Sequence, residues 1–131
     1  MTSKISIIGG GSWGTALSQV ASTNIEEVLI YVRDQEVVKS INNNYINDKY
    51  FPEVKLNQNI KATNDIDDVI EFANDIIVSV PTSATRTIME KISGKLTQEH
   101  TIISTAKGLE IETFKTNSEI MREFFTGDIA V

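Results

Sequence analysis

Residues 4–14 read Lys4-Ile5-Ser6-Ile7-Ile8-Gly9-Gly10-Gly11-Ser12-Trp13-Gly14. A short apolar run ends on a glycine, and Gly9, Gly11 and Gly14 then fall in the spacing G-x-G-x-x-G. Each position answers a physical demand. Gly9 permits a tight turn out of a strand. Gly11 has no Cβ, so a diphosphate can approach its backbone. Gly14 lets the following helix pack closely on the strand. A helix that opens here offers unpaired N–H groups and the positive end of its dipole to an anion. The spacing alone is a weak signal. Its position, after a strand and at the start of a helix, is the context that gives it meaning.

The rest of the chain repeats this alternation. Its patterning predicts a strand over 4–9 and a helix over 13–23 with Leu17, Val20 and Ala21 on one face. A strand follows over 28–32 and a helix over 35–43. Residues 42–59 are asparagine-rich and read as a loop that folds back on its aromatics, Tyr45, Tyr50 and Phe51. A short strand over 60–63 precedes a helix capped by Asp65, with Asp68 at its third position, that runs to about Phe72. Then come a strand over 75–80 stopped by Pro81, a helix over 83–92, a strand over 101–105, a helix over 116–125, and the opening of one more strand at 129–131. The strands are continuous apolar runs, as expected when helices cover both faces of a parallel sheet. The expectation is a single α/β domain over 1–131: a doubly wound, Rossmann-type parallel sheet.

Composition narrows the function classes. The chain has 131 residues, enough for one domain with a real core. It has no cysteine, which excludes disulfides, thiol catalysis and thiolate metal sites and fits a reducing cytoplasm. The net charge is −6, which argues against a general nucleic-acid surface. The start, Met1-Thr2-Ser3-Lys4, leads straight into a strand without a leader pattern. The apolar runs fall far short of the roughly 20 residues of a membrane helix, so no membrane insertion is expected.

Ligands of such sheets bind beyond the carboxyl ends of the strands. At the end of the second predicted strand stand Arg33 and Asp34, with Arg33 19 residues after Gly14. A guanidinium there matches a 2′-phosphate, whereas a carboxylate would bind ribose hydroxyls. NADP and NAD therefore both remain open, and Arg33 can also be read as a loop cation paired with Asp34. Pro81-Thr82-Ser83 and Lys107-Gly108 follow two further strands and are expected at the same crevice, although Pro81 can simply end its strand and Ser83 can simply cap its helix. His100, the single histidine, reads as a solvated loop residue. Trp13 reads as either a core residue or a wall of the cofactor groove. Asp65, Asp67 and Asp68 read as helix capping, and no metal is expected.

Four segments carry a closer resemblance: Gly9–Leu17 (GGGSWGTAL), Asn47–Pro52 (NDKYFP), Val80-Pro81-Thr82 and Ser104–Glu110 (STAKGLE). In order and spacing they are similar to the bacterial NAD(P)-dependent glycerol-3-phosphate dehydrogenases. The resemblance implies cofactor contacts from Gly9, Gly11, Ser12, Trp13, Gly14, Arg33 and Pro81, with Lys107 between cofactor and substrate. It implies interconversion of sn-glycerol 3-phosphate and dihydroxyacetone phosphate, a phosphorylated small molecule, in a cytoplasmic homodimer. It further implies an all-helical C-terminal domain, outside these 131 residues, that carries the catalytic lysine. No catalytic residue is therefore expected within this chain. Two other readings are a reductase of the 6-phosphogluconate or ketopantoate type and a non-enzymatic nucleotide-binding module.

Overall fold

The computed structural model describes residues 2–131; Met1, the first residue of the lead-in, lies outside the described residues. Six strands form one parallel sheet: β1 (Lys4–Ile8), β2 (Glu27–Tyr31), β3 (Ile60–Thr63), β4 (Asp75–Val78), β5 (Thr101–Ser104) and β6 (Asp128–Ala130). Their order is β3-β2-β1-β4-β5-β6, the doubly wound arrangement that the alternating pattern predicts. Five helices connect them: α1 (Ser12–Ala21), α2 (Gln35–Asn44), α3 (Ile66–Phe72), α4 (Thr82–Ile92) and α5 (Asn117–Phe124). The chain winds outward from β1 in one direction, then returns and winds in the other. The crevice between β1, β2 and β4 is therefore the switch point where ligands bind in such sheets.

The pleat explains both cores. Ile7 pairs with Ile30 on one side and Ile77 on the other, and Ile8 pairs with Tyr31 and Val78. Successive side chains point to opposite faces. Ile7, Val28 and Ile30 enter a core with Val37, Val38 and Ile41 of α2. Ile8, Ile76, Val78 and Ile102 enter the other, with Val69 of α3, Met89 and Ile92 of α4, and Met121 of α5. Each fully buried aliphatic side chain contributes about 1.5–3 kcal/mol relative to exposure. Asp65 caps α3 by accepting the N–H of Asp67 at 2.9 Å, as its sequence position predicts. Thr116 caps α5, with Glu119 at its third position.

Two sequence expectations are corrected. Val20 is 66% exposed and does not share the face of Leu17 and Ala21, which pack against the core. Helix α1 buries Gly14, Thr15 and Ser18, because its small residues must lie against the sheet, and this rotation carries Val20 to solvent. His100 is 7% exposed rather than solvated. Its Nδ1 accepts the N–H of Thr97 at 2.9 Å, and its Nε2 lies 3.1 Å from the carbonyl oxygen of Ile70. Both ring nitrogens thus have a backbone partner, an arrangement that the tautomer with hydrogen on Nε2 satisfies. The tight turn from Thr97, closed by the His100 N–H on the Thr97 carbonyl, folds the ring inward.

Candidate functional site

The glycine corner is built by close approach of backbones. Gly9 has φ +130, and a Cβ there would lie 2.2 Å from the carbonyl oxygen of Ser79 on the strand side. A Cβ on Gly14 would lie 1.9 Å from the carbonyl oxygen of Gly9. Helix and strand therefore touch where neither has a side chain. A Cβ on Gly11 would meet nothing within 4 Å. Gly11 is the N-cap of α1, and no side chain caps this end. The start of α1 is thus uncapped and open at Gly11, the arrangement that suits a diphosphate.

That space is a groove of about 470 Å³, within the usual range for small-molecule sites. Its walls include Gly9, Gly10, Gly11, Arg33, Asp34 and Pro81. Of the residues singled out from sequence, Gly9, Gly11, Arg33 and Pro81 line the groove. Ser12, Trp13, Gly14 and Lys107 stand outside its lining. Gly14 lies beneath it as the packing contact, and Trp13 is 60% exposed at the start of α1. Among the described residues no group of three or more His, Asp or Glu side chains converges to hold a metal ion, and no helix is long and apolar enough to cross a membrane.

Arg33 and Asp34 do not pair with each other. Asp34 is the N-cap of α2: its Oδ1 accepts the N–H of Glu36 at 2.9 Å. Its Oδ2 lies 3.9 Å from Lys49 Nζ. Arg33 has no carboxylate partner among the described residues. Lys49 and Tyr50 come from the asparagine-rich segment and form part of the groove wall. Asn47 holds them there. It is fully buried, donates from Nδ2 to the carbonyl oxygen of Gly10 (3.2 Å) and to Thr15 Oγ1 (2.8 Å), and accepts the Tyr50 N–H on Oδ1 (3.2 Å). The sequence predicts only a loop here and does not mark Asn47, Lys49 or Tyr50 as site-forming. The only available signal was their place in the Asn47–Pro52 resemblance.

Lys107 is exposed on the loop between β5 and α5. Its carbonyl oxygen accepts the Thr82 hydroxyl at 3.0 Å. Asn117, buried at the start of α5, donates to Thr82 Oγ1 (3.1 Å) and to the Ala106 carbonyl oxygen (3.3 Å), and accepts the Thr85 hydroxyl at 2.6 Å. These bonds tie the Lys107 loop to the first turn of α4. Helix α4 begins at Thr82, with Pro81 as N-cap and no side-chain cap, so the proposed capping role of Ser83 is not observed.

Residues 4–131 match the family described as the NAD-dependent glycerol-3-phosphate dehydrogenase N-terminus. The chain belongs to this family. A glycerol-3-phosphate dehydrogenase [NAD(P)+] of Halothermothrix orenii is 47% identical over 131 residues, which are 100% of this chain and 38% of that protein. The chain thus spans well under half the length of this relative. A glycerol-3-phosphate dehydrogenase structure from Plasmodium falciparum superposes with a TM-score of 0.86 at 31% identity, over 98% of this chain and 39% of that one. A ketopantoate reductase of Ralstonia eutropha superposes over 96% of this chain and 39% of that one, with a TM-score of 0.72 at 18% identity, a likeness of fold alone.

In this family member, Arg86 of α4 clamps the same loop. Its Nε and Nη2 each donate to Glu110 at 2.9 Å, and Nη2 also donates to Glu123 of α5 at 2.8 Å. The Arg86 hydrogen bonds, and after them the Thr113 hydroxyl, hold the Glu110 carboxyl at about 2, against its ordinary 4.5. The folded state therefore favours the carboxylate. Its stabilising contribution is complete above the ordinary value of 4.5 and is lost as pH falls from there through about 2. Glu110→Gln should lower the melting temperature at neutral pH, and the gap to the unaltered protein should close between pH 4.5 and 2. Melting curves across that range check this; a gap independent of pH would show that the pair does not act through ionisation.

Proposed function

We propose that this chain binds a nicotinamide dinucleotide, NADP or NAD, as the nucleotide-binding part of a glycerol-3-phosphate dehydrogenase. The observation that carries this is the uncapped start of α1 over the groove, with Gly11 presenting no side chain to it. In this reading the amides at Gly11, Ser12 and Trp13 hold the diphosphate, and Gly9 and Gly14 let the helix reach it. Arg33 meets the adenosine end, Pro81 forms the wall beyond β4, and Trp13 lies along the nucleotide. Lys107 places its charge between the cofactor and a phosphorylated substrate.

The cofactor, when bound, supplies hydride-transfer chemistry. The protein's part here is to hold, orient and neutralise. The complete protein is proposed to interconvert sn-glycerol 3-phosphate and dihydroxyacetone phosphate, as a cytoplasmic homodimer supplying a phospholipid precursor. The general acid–base lysine is assigned by resemblance to the helical domain of that longer protein. The 131-residue chain alone is therefore expected to bind nucleotide and to turn over little or nothing.

Trp13 is the sole tryptophan and serves as the probe. Titration with NADP⁺ or NAD⁺ should give a saturable change in its fluorescence, with calorimetry as a second readout. No saturation by either method up to millimolar nucleotide would overturn the reading. Arg33→Glu should weaken NADP⁺ binding by about tenfold or more, equivalent to about 1.4 kcal/mol, and NAD⁺ binding by less. Equal weakening of both nucleotides would count against a 2′-phosphate contact.

A further inference from the structure

We propose that Lys49, through its pairing with Asp34, biases this groove toward the nucleotide that carries a 2′-phosphate on its adenosine ribose. The inference rests on the dinucleotide reading above and deepens it. A carboxylate at the end of the second strand ordinarily accepts hydrogen bonds from the two ribose hydroxyls and repels a phosphate placed there. Asp34 has the right chemistry and the right place for that discrimination. Its charge, however, is shared with other partners. Oδ1 accepts the Glu36 N–H that starts α2, and Oδ2 faces the Lys49 ammonium at 3.9 Å.

The charge around it points the same way. The charged residues lining the groove are Arg33, Lys49 and Lys91, with Asp34 as the one carboxylate. Three cations against one anion is a local excess opposite in sign to the net charge of −6. Arg33 has no anionic partner among the described residues, so its planar donor fork is available for a phosphate.

Lys49 is not a free surface lysine. Its ammonium lies 5.6 Å from the centroid of the Tyr50 ring, and the buried Asn47 bonds that stretch to the glycine corner. The loop therefore sets the cation opposite Asp34. The two side chains are 56% and 45% exposed, so solvent screens their interaction and the effect on selectivity is moderate.

The test uses the 131-residue chain, with NADP⁺ and NAD⁺ affinities measured by calorimetry for three proteins. Lys49→Gln should weaken NADP⁺ by about threefold and leave NAD⁺ unchanged or slightly improved. Asp34→Asn, which keeps a capping side chain, should strengthen NADP⁺ by a similar factor. An unaltered chain that prefers NAD⁺ would overturn this inference while leaving the dinucleotide reading intact. So would a Lys49→Gln variant that loses both nucleotides equally or neither. Failure of the unaltered chain to bind either nucleotide would overturn the dinucleotide reading itself.

Discussion

Gly14→Ala should destabilise this domain by about 3 kcal/mol or more and abolish its grip on a dinucleotide. Two effects oppose each other. Alanine is the better helix former, by roughly 1 kcal/mol in a helix interior. The new Cβ, however, would lie 1.9 Å from the carbonyl oxygen of Gly9. Overpacking of a well-packed core typically costs about 1–3 kcal/mol, and here the struck atom is backbone rather than a flexible side chain. Gly9 cannot retreat. Its N–H donates to the Tyr31 carbonyl oxygen at 3.2 Å, and the Ser79 carbonyl closes its other side. Helix α1 must move outward instead. That breaks the Asn47 bond to Thr15 and shifts the amides that face the groove. The steric term wins. For a domain of this size the melting temperature should fall by about 10 °C. Thermal unfolding followed by circular dichroism checks the first part and nucleotide titration the second. A variant that melts within about 2 °C of the parent and binds NADP⁺ normally would mean that the tight corner is not needed.

Asn47→Ala should cost about 2–4 kcal/mol, an unusual loss for a residue in a connecting segment. Asn47 is fully buried, and its amide makes three bonds: to Gly10, to Thr15 and to the Tyr50 N–H. Truncation leaves those polar groups without their partner, and each buried orphan costs about 1–3 kcal/mol. Asn47→Asp separates the contributions. It keeps the acceptor for Tyr50 but sets carboxylate oxygen against the Gly10 carbonyl, so it should be at least as harmful as alanine. Both variants should also weaken nucleotide binding, because Lys49 and Tyr50 lose their fixed place on the groove wall. Denaturant unfolding of the three proteins decides the matter. A loss below about 0.5 kcal/mol for Asn47→Ala would show that the segment is held by its backbone alone.

Much of this architecture is legible before folding is considered. The glycine spacing after Ile8, the apolar runs at 28–32, 75–80 and 101–105, and the Asp65 cap are local signals. Each depends on residues within a few positions of one another. Propensity, pleat and capping are local physics, so the element order, the parallel sheet and the uncapped α1 start follow from reading along the chain. The strands end a residue or two before their apolar runs do. The run at 75–80 ends as a strand at Val78, where the backbone turns from the ladder toward the groove.

The remainder depended on contacts between distant parts of the chain. Asn47 meets Gly10 across 37 positions and Thr15 across 32, and nothing in the composition of 42–59 marks which asparagine will be buried. His100 turns inward because the Ile70 carbonyl waits 30 residues away. Val20 turns outward because Gly14 must face the strand. Asp34 faces Lys49, which a loop 15 positions later delivers. From its sequence alone this protein specified a doubly wound sheet and a corner fit for a diphosphate, because those features arise from neighbours in the chain. Which side chains wall the groove, and which charges face one another across it, was decided only when packing brought remote segments together.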